Sequence, residues 1–252
     1  MAGASAHYDD PTYYCRTYKS RIADVVFYTE RAARSRRVLE LGCGNGRVTL
    51  PIARSGIEIV GVDLSKAMIR DLEARLLDEP DDVRARVELR VGDMRRFVAR
   101  GEFDLVICPF NAFLHLYSRK DVEDFLACVR KVLAPRGKLI FDVSIPDPAE
   151  LARKPSKAYR TRPFVYPGVG KVRYGERFDY DALAQVLHVS MEFEPDEGEA
   201  FTTPLTHRQF YPQELEALLH YNSFSIVELI GDFEGPPSES TQSLVVVATA
   251  RR

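Results

Sequence analysis

The sequence predicts an α/β architecture: a doubly wound, mostly parallel seven-stranded sheet with an inserted antiparallel β lid. Three patterns carry this expectation. Short apolar runs alternate with helical stretches between Arg37 and Val143. A glycine-rich turn joins the first run to the first of these helices, and two-residue alternation takes over from Lys171 to Tyr211.

Arg37–Leu41 reads as the first strand, and the stretch behind the glycines is helical through Arg54. Glu58–Val62 is a second strand. Ser65 then caps a helix with Met68, Ile69, Leu72 and Leu76 on one face. Arg86–Val91 forms a third, more exposed strand and Phe103–Pro109 a fourth that is almost wholly apolar. Ser118 and Asp121 form a capping box for a helix burying Val122, Phe125, Leu126, Val129 and Leu133, which Pro135–Gly137 ends. Lys138–Val143 is the fifth strand. Residues 148–165 read as loop or weakly periodic helix.

The inserted meander follows. Val172, Tyr174 and Phe178 share one face; Leu187, Val189, Met191 and Phe193 share another; Thr206, Arg208 and Phe210 lie on a third strand. Pro212 opens a last helix with Leu215, Leu218 and Leu219 inward and Asn222 as a left-handed cap. Strands at Ser225–Ile230 and Ser243–Ala250 close the chain. The expected organisation is one domain over 1–252. It has an N-terminal helical cover (1–36), a ligand-binding core (37–147), an inserted lid (148–211) and a closing helix and strands (212–252).

Composition narrows the function classes. The 252 residues carry 35 basic and 37 acidic side chains, a formal charge of −2, which is too balanced for a general nucleic-acid or membrane-surface binder. The chain has no 18-residue apolar run, and its first residues lack the basic and apolar segments of a signal peptide. A cytoplasmic globular protein is expected. Cys15, Cys43, Cys108 and Cys128 form no ligand-spaced pair, so no metal site is expected. The arginine clusters at 31, 34, 36 and 37 and at 84, 86 and 90 lie among acids and read as solvated faces.

The most informative segment is Val38–Arg47, VLELGCGNGR, with Gly42, Gly44 and Gly46 between a strand and a helix. Without Cβ atoms the backbone turns tightly and lets a ligand approach, while the helix N-terminus offers free N–H groups. The spacing is GxGxG rather than the GxGxxG of a dinucleotide site. Glu40 precedes the glycines, Asp63 follows the second strand and Asp93 follows the third. Three acids at the carboxyl ends of adjacent strands share one crevice and suit a nucleoside without a pyrophosphate.

ELGCGNGR, GVDLS, VGDM, FDLVICPFN and a Pro-Arg-Gly turn into LIFDV together resemble the S-adenosylmethionine-dependent methyltransferases of the seven-stranded Rossmann-like class, small-molecule type. The resemblance covers about residues 37–145. It implies S-adenosyl-L-methionine as cofactor and S-adenosyl-L-homocysteine as product. It assigns the glycine loop, Cys43 included, to the methionyl part, Asp63 to the ribose with Leu64 beside the adenine, and Asp93 to the adenine amino group with Met94 on the ring. Pro109, Phe110 and Asn111 would line the reaction site. Tyr13 to Tyr28 would form a helix across the cofactor, from which Tyr14 or Arg21 reaches its carboxylate. The alternative is a helix docked by Ile22, Val25 and Val26 with Arg21 in water.

Methyl transfer is an in-line displacement, so orientation dominates and can supply roughly 7–11 kcal/mol. A base is optional for a neutral amine and useful for a hydroxyl. His115 is the best-placed candidate base. Asn111, His115, Tyr174, His207 and Arg208 are candidate substrate contacts, with Tyr180 and Tyr211 completing an aromatic wall. Cys108-Pro-Phe-Asn111 departs from the Asn/Asp-Pro-Pro-aromatic signature of nucleobase amino-methyltransferases. Partners are therefore expected to be a small-molecule acceptor, with neither nucleic acid nor membrane, in a monomer or homodimer. The leading expectation is transfer to an amine nitrogen of an amino acid, amino sugar or similar compound. O-methylation, aminopropyl transfer and a non-catalytic cofactor-binding role are the alternatives.

Overall fold

The computed structural model describes residues 6–97 and 99–251. The first five residues of the expected cover, and positions 98 and 252, lie outside the described residues. Two helices, α1 (Pro11–Tyr18) and α2 (Ala23–Ala32), lead into β1 (Arg37–Leu41), α3 (Thr49–Arg54), β2 (Glu58–Asp63) and α4 (Lys66–Leu76). Then come α5 (Asp81–Arg84), β3 (Val87–Val91), β4 (Phe103–Cys108), α6 (Arg119–Val132) and β5 (Leu133–Ser144). A short α7 (Pro148–Leu151) precedes five lid strands: β6 (Tyr159–Arg160), β7 (Phe164–Tyr166), β8 (Gly170–Asp181), β9 (Val186–Pro195) and β10 (Phe201–Arg208). The chain ends with α8 (Pro212–Tyr221), β11 (Phe224–Gly231) and β12 (Ser243–Ala250).

The central sheet has seven strands in the order β11-β12-β5-β4-β1-β2-β3. β5, β4, β1, β2 and β3 run parallel, and β12 and β11 extend the sheet antiparallel beyond β5. The apolar run Phe103–Cys108 is central and covered on both faces, whereas β3 is an edge strand and alternates in exposure. Ser65 and Ser118 cap α4 and α6 as expected, the latter in a full capping box with Asp121. Such a cap contributes about 1 kcal/mol. The chain leaves β1 toward β2 on one side, while β4 lies on the other. That reversal opens a crevice at the carboxyl ends of β1 and β4, between their following loops.

The lid is a separate antiparallel sheet ordered β10-β9-β8-β6, with β7 also on β8. Tyr174 pairs with Phe193 and Phe178 with Val189, so the two apolar faces expected from alternation are one face of one sheet. That face, with Tyr13 of α1, forms the lid's own apolar core. Among the described residues no helix is long and apolar enough to cross a membrane.

Four local expectations are corrected. The single helix expected across Tyr13–Tyr28 is two helices. They part at 19–22, and α2 docks through Phe27, Tyr28 and Ala32 while Ile22 and Val26 stay exposed. A bidentate pair from Arg47 to Asp24 sets this rotation of α2. Residues 148–165 hold β6 and the start of β7, strands too short to show a period. Helix α6 runs into β5 at Leu133, with a register slip before Lys138. Gly137 permits it, since a Cβ there would lie 2.8 Å from the Phe103 carbonyl. Asn222 is not left-handed (φ −98°); Ser223 takes that conformation at φ 64°.

Candidate active site

The glycine turn leaves β1 with Gly42, Gly44 and Gly46 all at positive φ (77°, 53° and 87°). A Cβ on Gly42 would lie 2.7 Å from that of Ala112, and one on Gly46 would overlap Leu72, so both serve close packing. Gly44 differs: no atom lies within 4 Å of where its Cβ would be. Its N–H donates to Asp63 Oδ2 at 2.7 Å, and the Ser65 N–H donates to Oδ1 at 2.7 Å. Burial pushes the Asp63 carboxyl up, and these N–H groups partly offset it. Leu64 beside it is 69% exposed, while Cys43 is buried with its thiol pushed up by burial.

The other two acids are engaged differently from expectation. Glu40 is 2% exposed and accepts a 2.6 Å bond from Thr49 Oγ1 behind the turn, so it does not present a carboxylate to the crevice. Burial pushes it up to about 8. Asp93 is held by Arg95 through Nε at 2.9 Å and Nη2 at 2.7 Å, and Arg95 reaches on to Asp121 at 2.5 Å. These contacts keep the Asp93 carboxyl below its ordinary value. Met94 packs half-buried against the sheet core.

After β4, Pro109 is buried, and Phe110 and Asn111 are both left-handed at φ 55° and 62°. Such backbone costs of order 1–3 kcal/mol per residue and needs holding. Asp142 on β5 holds it, accepting from Phe110 N at 2.7 Å, Asn111 N at 3.1 Å and the Tyr28 hydroxyl at 2.7 Å. Burial raises this carboxyl to about 6 despite those donors. Sequence reasoning missed Asp142; the available signal was one acid inside the apolar run LIFDV. The Asn111 amide is spent on Ser144, so Asn111 shapes the loop and does not face an acceptor. The Phe110 ring lies under Arg47 and Arg21, whose guanidinium carbons stand 4.4 and 5.1 Å from its centroid, with Tyr18 and Tyr14 at its edges. Arg21 and Tyr14 thus meet at Phe110.

His115 does not fit the role of base. Its Nε2 meets the Tyr8 hydroxyl at 2.8 Å and its Nδ1 the Tyr117 hydroxyl at 3.1 Å, and burial lowers it to about 4. Tyr8 also accepts from Ser65 Oγ through its carbonyl, which ties the N-terminal turn across the crevice.

Beside this loop lies a cavity of about 650 Å³ between α1, the end of β5 and the lid, walled by Tyr13, Tyr18, Tyr174, Glu176, Phe178 and His207 among others. Tyr174 and His207 line this cavity. Arg208 does not: alternate residues of β10 face opposite ways, and Arg208 turns to α8, pairing with Glu214 at 2.7 Å. Tyr180 and Tyr211 are likewise off the cavity wall. Burial lowers His207 to about 3. Glu176 was not anticipated, although its even-numbered place among Val172, Tyr174 and Phe178 puts a carboxylate on the apolar face.

Residues 38–137 match the methyltransferase domain family. The Bacillus subtilis (strain 168) protein named "Putative methyltransferase YqeM" is 26% identical over 213 residues, 82% of this chain and 81% of its own. The CcbJ methyltransferase of Streptomyces caelestis shares the fold at a TM-score of 0.78 and 24% identity, over 96% of this chain and all of its own. SAM-bound CalS10, an amino pentose methyltransferase from Micromonospora echinaspora, shares it at 0.69 and 21% identity, over 94% and 96%. The glycine turn, the carboxylate after β2 and the seven-stranded order agree with these likenesses. Residues 38–137 form a methyltransferase domain, and the whole chain carries the fold of S-adenosylmethionine-dependent methyltransferases.

Proposed function

We propose that the chain methylates an amine nitrogen of a small molecule held in the cavity beside Phe110. The observation that carries this reading is the cavity's chemistry: aromatic walls with His207 as the histidine among them, lowered to about 3. Such an imidazole is neutral and too weak a base to activate a hydroxyl, whereas a neutral amine already carries its lone pair. The likeness to an amino pentose methyltransferase supports the same acceptor class. A cavity of about 650 Å³ and a net charge of −2 favour a small molecule over a nucleic acid.

The crevice fits the cofactor. Gly44 offers open space where a side chain would stand, and each Asp63 oxygen keeps a lone pair beyond its backbone donor. Gly42, Gly44, Gly46 and Asp63 would hold S-adenosylmethionine, with Leu64 and Met94 beside the adenine and Arg21, Arg47 and Tyr14 around Phe110 at the methionyl end. When bound, it supplies a methyl group activated by the sulfonium. The chain's own part is to hold the amine in line and exclude water, with core, cover and lid acting as one catalytic unit.

Label transfer from methyl-labelled cofactor to matched amine and alcohol acceptors tests the proposal. Label on nitrogen is expected, and label on oxygen alone refutes it. Asp63→Ala should abolish the thermal stabilisation given by cofactor, since a ligand stabilises only the state it binds.

A further inference from the structure

Glu176 stands on β8 opposite Met191, on the apolar face of the lid. Its neighbour Arg177 points the other way and pairs with Glu192. Among the described residues Glu176 has no cationic partner; its one side-chain bond is the 2.5 Å donation from the Tyr174 hydroxyl. A half-buried carboxylate without a counter-charge is a ready partner for a cation. The rings of Tyr13, Tyr18 and Phe178 share the cavity with it, and aromatic faces attract cations. The wall's other charges are Glu150, which pairs with Arg153 at 3.2 Å, and Arg16 on the exposed part of α1. With Glu150 so paired, Glu176 is the acid of the wall left without a cation.

We propose that Glu176 is the specificity-determining residue of the cavity and anchors a cationic nitrogen of the acceptor other than the nitrogen that is methylated. A protonated nitrogen has no lone pair, so the anchored group cannot be the nucleophile. The acceptor is therefore a diamine or polyamine. This inference rests on the amine reading above.

Calorimetric titration of the S-adenosylhomocysteine-loaded protein tests it without requiring transfer. The probes are 2-deoxystreptamine, cyclohexylamine and a nucleoside-diphosphate amino sugar. The diamine is expected to bind tightest. Glu176→Gln, which keeps an acceptor for Tyr174, should weaken the diamine roughly tenfold to a hundredfold, the range of a charged hydrogen bond. Glu176→Asp should retain the preference, which separates lost charge from lost fold. Diamine binding no tighter than that of the monoamine, no binding of either, preference for the nucleotide sugar, or an unchanged Glu176→Gln protein each overturns the inference. Glu176-dependent diamine binding with label on oxygen would overturn only the nitrogen reading.

Discussion

The Tyr28 hydroxyl on α2 donates a 2.7 Å hydrogen bond to Asp142 Oδ1 on β5, joining residues 114 positions apart in the chain. The same carboxylate accepts from Phe110 N and Asn111 N, so one buried acid links the N-terminal cover to the loop bordering the cofactor crevice. Phe110 in turn stacks beneath Arg47, which Asp24 of α2 clamps. Cover and loop are thereby fixed to each other before any ligand arrives.

Replacing Asp142 with Asn should damage that junction out of proportion to the atoms changed. An amide offers one oxygen where the carboxylate uses two, and its NH₂ would face an N–H or O–H donor. Leaving a buried donor unmet costs about 1–3 kcal/mol. Chemical denaturation should show a loss of that size, and calorimetry should show weaker cofactor binding. Tyr28→Phe removes one donor and leaves the two backbone bonds, so its loss should be smaller and cofactor affinity nearly unchanged.

Gly44 and Gly46 should separate folding from cofactor binding. Gly46→Ala drives a Cβ into Leu72 at a left-handed residue, so the fold itself should suffer by several kcal/mol. Gly44→Ala meets no protein atom and bears only the left-handed penalty, of order 1 kcal/mol. Its methyl group would stand in the space the cofactor needs. Gly44→Ala is expected to melt near the parent temperature and to lose most cofactor-induced stabilisation, as a thermal-shift titration would show.

Glu40 gives stability a pH dependence. Its folded value of about 8 lies above the ordinary 4.5 of a free glutamate, so the unfolded chain releases the proton first as pH rises. The contribution of this group is full below about pH 4.5, falls between 4.5 and 8, and levels off above. Glu40→Gln keeps a partner for Thr49 and removes the titration. The variant should therefore gain stability relative to the parent, by a few kcal/mol, as pH rises from 5 to 9 in paired denaturation curves.

The central sheet was legible because the apolar runs of β1, β2 and β4 are buried on both faces and Ser65 and Ser118 cap α4 and α6. The glycine turn and Asp63 were legible because spacing alone places them at the ends of β1 and β2. Local chemistry was not. The acid in LIFDV looks like an ordinary strand residue until Tyr28 and the backbone of Phe110 and Asn111 are brought to it from distant segments. His207 and Arg208 were both candidates for the cavity, yet adjacent strand residues must face opposite ways; only the packing of β10 against the 3-10 turns around Tyr8 and His115 decides which turns in. The rotation of α2 likewise depends on Asp24 meeting Arg47, a contact with no local signature.

His115 is expected to act through Tyr8 and not on the acceptor. Both ring nitrogens are occupied by tyrosine hydroxyls, and Tyr8 lies across the crevice through its carbonyl bond from Ser65. His115→Ala should lower stability by about 1–3 kcal/mol through the unmet Tyr8 hydroxyl, since Tyr117 keeps its bonds to Thr206, and should raise the KM for cofactor more than it lowers kcat. The folded His115 value of about 4 lies below the ordinary 6.5 of a free imidazole. The unfolded chain therefore takes up the proton first as pH falls, and this group's contribution is full above about 6.5 and is lost toward pH 4. The variant's stability should fall less than the parent's over that window. Because the ring is already neutral above it, the pH dependence of kcat between 6.5 and 9 should keep its shape; an inflection that disappears with His115 would instead make it the base.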